Sequence, residues 1–117
     1  MKNLVTKIVR FELAHKLTSA YTKGCKRVHG HGYKLEVTFV GDLNEDGMIM
    51  DFKMMKEILQ PIVDEFDHTY IDEQICGYKP TAENMCNYIF RKISNSTRQI
   101  YRVRLWETDT CYAEVKY

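Results

Sequence analysis

The sequence predicts an α+β fold, in which an antiparallel four-stranded sheet carries two helices on one face. Apolar and polar residues alternate in two segments at each end of the chain, which is typical of strands. Between them, apolar residues repeat at helical spacing in two further segments. The order is therefore ββααββ, which we interpret as one sheet with both helices packed on the same face. At 117 residues, the chain is expected to form a single domain over residues 1–117.

Four segments have the alternation of a half-buried strand. The first two are residues 5–14 and 29–40, in which apolar side chains face one way and charged or polar ones the other. The last two, residues 99–107 and 111–117, are separated by a short turn at residues 108–110 and are expected to pair. Such a sheet has open edges, and pairing them in an oligomer is one common way to close them.

Two segments have the spacing of amphipathic helices. Asp51 is a suitable N-cap for the first, and Pro61 inside it should bend or locally break the helix. The second is expected to start at Pro80-Thr81, with Thr81 as its candidate N-cap. The apolar stripe of the first helix comprises Phe52, Met55, Ile58, Leu59, Ile62, Val63 and Phe66. That of the second comprises Met85, Tyr88, Ile89 and Ile93.

The composition argues against several classes of partner. Lys and Arg number 17 and Asp and Glu 16, so there is no basic excess for binding nucleic acid. No apolar run approaches the roughly 18 residues that a membrane span needs, and residues 1–7 lack the apolar stretch of a signal peptide. The four cysteines allow a disulfide pair, but their spacing is irregular. We interpret them as thiols and the protein as cytoplasmic.

Three of the four histidines lie at the ends of the first two predicted strands. His29 and His31 are two residues apart, so their side chains are expected on one side of the second strand. His15 shares the parity of the apolar residue Leu13 at the end of the first strand. Three neutral imidazoles with an open fourth position are typical of a catalytic zinc site. The alternatives are surface or hydrogen-bonded core histidines, or a closed zinc site with Cys25 as fourth ligand.

Cys25 and two glycines complete the surroundings of these histidines. Cys25 is followed by Lys26 and Arg27, and a thiolate near zinc and cations has a lowered pKa. It is therefore a candidate nucleophile or general base, although an ordinary loop cysteine is the alternative. Gly30 and Gly32 are residues expected where the backbone must give a metal or ligand close access.

Two further positions could take part in proton transfer or binding. His68 follows Asp67 at the end of the first helix, where the negative helix end favours an imidazolium. Adjacent helical residues do not face each other, so a hydrogen bond between the two does not follow from the sequence. Glu107 ends the apolar strand face formed by Val103 and Leu105, where a carboxylate can accept two parallel hydrogen bonds. The alternatives are a His that stabilises the helix dipole and a solvated Glu.

Six short motifs follow one another along nearly the whole chain. They are Phe11-Glu12-Leu13-Ala14-His15, Cys25-x-x-x-His29-Gly30-His31, Gly47-Met48-Ile49-Met50-Asp51-Phe52, Asp67-His68, Pro80-Thr81-Ala82-Glu83-Asn84 and Glu107-Thr108. In this order, they resemble the 6-pyruvoyl-tetrahydropterin synthase and 6-carboxytetrahydropterin synthase family. The three residues between Cys25 and His29 are similar to the carboxy branch, because the pyruvoyl branch usually has a longer gap. One departure is Tyr70-Ile71-Asp72, where a Leu-Asn pair often follows the Asp-His.

The resemblance implies a tunnelling fold (T-fold), in which ββααββ subunits form a homo-oligomer, by resemblance a hexamer, with active sites at subunit interfaces. It implies Zn²⁺ on His15, His29 and His31. Catalytic roles fall to Cys25 and His68 with Asp67, whereas Glu107 and Thr81 are expected to bind substrate.

The implied reaction converts 7,8-dihydroneopterin triphosphate to 6-carboxy-5,6,7,8-tetrahydropterin, releasing acetaldehyde and triphosphate, on the route to queuosine, a modified tRNA nucleoside. Two alternatives stay open at this point. One is the pyruvoyl reaction, which eliminates triphosphate without carbon–carbon cleavage, and the other is a non-catalytic zinc- or pterin-binding module.

Overall fold

The computed structural model describes residues 2–15, 29–71 and 79–117, with the side chains of residues 15, 29–31 and 70–71 outside the description. The elements in chain order are β1 (Asn3–His15), β2 (His29–Gly41), α1 (Phe52–Phe66), β3 (Thr69–Ile71), α2 (Ala82–Ser94), β4 (Ile100–Thr108) and β5 (Cys111–Lys116). The predicted order ββααββ is confirmed, with β3 as an addition. No helix in the described ranges has the length and hydropathy needed to cross a bilayer.

The sheet has the strand order β3-β1-β2-β4-β5. The four long strands pair antiparallel, as predicted. β3 is parallel to β1 and pairs only with residues 13–15. Its three residues are too few for alternation to reveal a strand, which is why the sequence did not predict it. Beyond this contact, the outer edge of β1 has no strand partner among the described residues.

One face of the sheet is buried under both helices, as predicted. α1 lies against β1 and β3, and α2 lies against β4 and β5. The Phe11 ring stacks on Tyr33 at 5.7 Å and on Phe66 at 5.8 Å between centroids, which seats the end of α1 beside the ends of β1 and β2. The sheet contributes to this core Phe11, Leu13, Tyr33, Leu35, Val37, Phe39, Ile100, Val103 and Leu105. The helices contribute Met55, Leu59, Ile62, Phe66, Met85, Cys86, Ile89 and Ile93.

Helix α1 begins and ends as its cap residues dictate. The Asp51 side chain accepts a hydrogen bond from the Lys53 N–H at 2.7 Å, which confirms the predicted N-cap. The helix continues through Pro61 to Phe66, so the local break is wrong as a prediction, whereas the bend stays a prediction. Pro61 lacks the N–H that would bond the carbonyl of Glu57, but both residues are exposed, so water can satisfy that carbonyl.

Two cysteines belong to the described residues, and both are free thiols. Cys86 is buried in α2, where its thiol donates to the Val103 carbonyl at 3.3 Å. Burial raises the pKa of this thiol to about 12, so it is not a nucleophile at neutral pH. Cys111 is exposed at the start of β5. Cys25 and Cys76 lie outside the described residues, so their predicted thiol state stays a prediction.

The second face of the sheet, here called the open face, carries the even-numbered residues of β1 and β2 and their neighbours on β4 and β5. Its side chains are largely polar and charged. Arg104 reaches Glu114 at 2.5 Å and Glu36 at 3.7 Å, and it lowers the pKa of Glu114 by hydrogen bonding. Thr6 and Thr38 share a hydrogen bond of 2.8 Å between their hydroxyls. Ion pairs that are this exposed contribute little to stability. We therefore consider the charged side chains of the open face as binding groups.

Candidate active site

The three candidate metal ligands come together in the backbone of β1 and β2. His15 and His29 are Cα partners in the antiparallel register, and His31 pairs with Leu13, two residues further along. Paired residues of this kind have Cα atoms about 4.5–5.5 Å apart. The register therefore brings the three positions to one end of the β1–β2 pair. Their side chains lie outside the description, so their role as ligands stays a prediction, as does the role of Cys25, which lies outside the described residues.

Asp67 and His68 form a turn that is attached to the edge of β1. α1 ends at Phe66, Asp67 is its C-cap, and His68 has a positive φ of 56°. The Glu12 N–H donates to Asp67 Oδ1 at 2.9 Å, and the His68 N–H donates to the Glu12 carbonyl. These two hydrogen bonds fix the turn to the strand that ends in His15.

The side chains of Asp67 and His68 contact each other, which the sequence did not predict. Asp67 Oδ1 lies 3.1 Å from His68 Nδ1. The spacing rule for adjacent helical residues does not apply, because the chain has already left the helix at Asp67. A left-handed backbone at a residue other than Gly is uncommon and concentrates at functional sites. Because this contact uses Nδ1, Nε2 is the ring nitrogen left for another partner.

The electrostatics of this pair suit a proton relay. The Glu12 N–H, followed by the His68 ring, lowers the pKa of the Asp67 carboxyl below its usual range. Asp67 is therefore a carboxylate at neutral pH, and its contact with Nδ1 can orient the imidazole. The His68 side chain is 78% exposed, so a substrate or another subunit can reach it.

Glu107 lies at an irregularity of β4. Trp106 pairs with Tyr112 and Thr108 with Cys111, so Glu107 is the extra residue of a bulge opposite β5. The register of β2 with β4 ends at the pair of Lys34 and Trp106, so Tyr33 and Glu107 are the residues that follow this pair on the two strands. Burial and then the negative charge of Glu107 raise the pKa of Tyr33. The half-buried carboxylate therefore lies near a phenol that stays protonated, at the helix-covered end of the sheet.

Thr81 lies directly before α2 and stabilises the start of this helix. Its hydroxyl accepts from the Asn84 N–H at 3.1 Å, which confirms it as the N-cap of α2. The Asn84 side chain donates to the Lys79 carbonyl at 2.9 Å, so this segment is held on both sides of the cap. The expected contact of Thr81 with substrate stays a prediction.

A cavity of about 430 Å³ opens at the end of the open face nearest His68, here called the His68 cavity. Asp67 and His68 belong to its lining, as do the paired residues Phe11 and Tyr33. The remaining lining residues are Arg10, Glu12, Gly32 and Lys34. Sequence reasoning singled out Gly32 but missed the charged residues. These charged residues are all even-numbered and lie on two strands that pair. This shared parity could have indicated a common face, but only the register shows that they are neighbours.

We compared the chain with known protein families and with named relatives. The sequence model of the 6-pyruvoyl tetrahydropterin synthase family matches residues 4–117. A protein of Archaeoglobus fulgidus named putative 6-carboxy-5,6,7,8-tetrahydropterin synthase is 40% identical over 106 residues, which are 91% of this chain and 89% of that protein. The 6-carboxy-5,6,7,8-tetrahydropterin synthase of Haemophilus influenzae is 29% identical over 94% of this chain and 96% of its own length.

The same family dominates the structural neighbours. The 6-pyruvoyl tetrahydropterin synthase of Caenorhabditis elegans superposes with a TM-score of 0.90 at 22% identity, over 100% of this chain and 96% of its own. The corresponding protein of Plasmodium falciparum gives a TM-score of 0.76 at 19% identity, over 97% and 96% of the two chains. These structural likenesses establish the T-fold. The sequence match over almost the full length also establishes the family. The chain belongs to the 6-pyruvoyl tetrahydropterin synthase family of enzymes.

Proposed function

We propose that this chain is a zinc-dependent 6-carboxytetrahydropterin synthase, which converts 7,8-dihydroneopterin triphosphate to 6-carboxy-5,6,7,8-tetrahydropterin with release of acetaldehyde and triphosphate. The observation that carries the proposal is the 40% identity over 91% of the chain to a relative named for the carboxy reaction. The three-residue gap between Cys25 and His29 supports the same branch. The proposed setting is the cytoplasm, on the route to queuosine.

The metal would be held by His15, His29 and His31. The backbone register that pairs His15 with His29 supports this set, and three imidazoles leave one position open for substrate oxygen. When bound, zinc would supply Lewis acidity next to the substrate side chain. Imidazole nitrogens are donors that suit zinc, so the residues present fit the group.

Each remaining role falls to a residue of this chain. Cys25, as a thiolate, removes the proton from the substrate side chain, a role that rests on the resemblance. His68 takes and returns protons, oriented by the Asp67 carboxylate 3.1 Å away. Glu107 accepts two hydrogen bonds from the N–H groups of the pterin ring, and its half-buried position near Tyr33 supports this role.

The active form is proposed to be a homo-oligomer, a hexamer by resemblance, with its sites at subunit interfaces. The outer edge of β1 before residue 13 and that of β5 have no strand partner among the described residues. Unpaired edges of this length favour pairing with another chain. The sequence predicts the candidate ligands on the apolar side of their strands, whereas His68 lines a cavity with the even-numbered residues of β1 and β2.

The test is the product of purified protein with 7,8-dihydroneopterin triphosphate. Acetaldehyde and the carboxy product are expected. The pyruvoyl product without acetaldehyde would instead assign the reaction in the name of the family model and of the structural neighbours. A Cys25→Ser variant should keep zinc and lose turnover. A parent protein that binds zinc and pterin without any turnover would be a binding module, which would refute the proposal.

A further inference from the structure

We propose that the His68 cavity binds the phosphate chain of the substrate, and that Arg10 and Lys34 are the residues that recognise it. The proposal rests on the proposed function in so far as the phosphate chain is that of a pterin triphosphate. The anion site itself depends only on the described residues.

The first observation is a pair of like charges. Arg10 and Lys34 are Cα partners on β1 and β2, and both lie on the open face. Like charges directly opposite each other on a sheet are destabilising. Arg10 makes no ion pair within the described part of the chain, whereas Lys34 Nζ lies 3.8 Å from Glu36 Oε1 and 4.3 Å from the centroid of the Trp106 ring. An anion bound at this pair would give Arg10 a partner and would reduce the repulsion between the two cations.

The second observation is the space beside them. Gly32 lies two residues from Lys34 in the lining of the cavity, and a Cβ built there would meet no atom within 4 Å. A side chain at this position would therefore stand in the cavity, so the glycine keeps it open. The 430 Å³ that results is within the range of about 300–1,000 Å³ for small-molecule sites.

The third observation concerns the two carboxylates in the lining. Asp67 accepts hydrogen bonds from the Glu12 N–H and from His68, which compensate part of its charge. Glu12 itself lies towards the His68 end of β1, two residues beyond Arg10. The cationic side of the cavity is thus the side of Arg10 and Lys34, where the phosphates are placed. A guanidinium can bind phosphate oxygens with two parallel hydrogen bonds, and the substrate loses its triphosphate as an anion.

Inorganic triphosphate is the probe, titrated calorimetrically into the full-length protein. Arg10→Met and Lys34→Met, which keep the aliphatic stem and remove the charge, should each weaken binding about tenfold or more. Gly32→Val should abolish measurable binding by filling the cavity. Lys7→Met is the matched control, because it removes a cation from β1 at an odd-numbered position, on the other side of the strand, and should bind as the parent does.

Turnover supplies the second readout. In Arg10→Met, kcat/KM for 7,8-dihydroneopterin triphosphate should fall about tenfold or more, whereas the affinity for 7,8-dihydroneopterin, which has no phosphate, should not change. Parent-like affinity for inorganic triphosphate in both charge variants, or no binding to the parent protein, would overturn the inference. If the parent fails to turn over the substrate, the proposed function fails, and the calorimetric comparison still decides the phosphate site.

Discussion

Replacing Glu107 by Gln tests whether this carboxylate anchors the pterin ring. Gln keeps the size and shape of the side chain but can accept only one of the two hydrogen bonds in the proposed contact. Losing a charge-assisted, two-point contact costs about 2–4 kcal/mol, which corresponds to roughly 30- to 1,000-fold in kcat/KM. The half-buried setting beside Tyr33 favours the upper part of this range, because solvent screens the contact less there.

The assay pairs pterin affinity by calorimetry with turnover by product analysis. Glu107→Gln should lose both, whereas Cys25→Ala should still bind pterin and lose only turnover. Glu83→Gln is the matched control, because it makes the same change on the exposed first turn of α2. If Glu107→Gln binds pterin as tightly as the parent, the anchor role is wrong. Glu107 would then take part in proton transfer, or in neither pterin binding nor proton transfer.

Three further predictions concern the metal, the relay and the assembly. His29→Ala or His31→Ala should remove zinc and activity with the fold intact, as measured by metal analysis and circular dichroism; near-stoichiometric zinc in both variants would contradict the assignment. Asp67→Asn should lower turnover by releasing the ring of His68. Because the pKa of Asp67 is lowered in the fold, its stabilisation is present above the unfolded pKa of about 4 and is lost as pH falls through the folded value. The gap in unfolding free energy between parent and Asp67→Asn should therefore shrink in acid, and a gap that widens there would refute the reasoning. Sedimentation should find a homo-oligomer at micromolar concentration, and mixing inactive Glu107→Gln and His68→Ala subunits should restore part of the activity; a monomer would count against interfacial sites.

The long elements could be predicted from the sequence because each carries a strong periodic signal and a local end signal. The four long strands, both helices and the caps Asp51 and Thr81 agree with the structure. Pro61 is an exception with a physical reason, since an exposed helix face tolerates a lost hydrogen bond. β3 could not be predicted, because three residues paired with the end of β1 depend on tertiary contact and not on pattern.

The candidate site likewise has features that the sequence predicts and features that depend on tertiary structure. Residue type and spacing were enough to nominate His68 and Glu107, but not to describe their surroundings. The contact between Asp67 and His68 depends on where the helix ends, and the bulge at Glu107 depends on the register with β5. The pairing of Arg10 with Lys34 likewise exists only through the register of two strands, so no local pattern could indicate it.

The positions of Glu107 and His68 in the sheet bear on how the site is assembled. Glu107 is on β4, and the turn with His68 is attached to the outer edge of β1, so β2 and β1 lie between them in the strand order. At about 4.8 Å for each strand spacing, their backbones are roughly 14 Å apart across the sheet. The His68 cavity also lies at the open face, opposite the face that α1 and α2 cover. A pterin in the proposed contact with Glu107 would therefore not reach the proposed relay of its own chain without crossing the sheet. Within the described ranges, the edge of β1 before residue 13 and the outer edge of β5 have no strand partner, and another chain could pair there. We propose that the relay reaches the pterin across such a junction between chains.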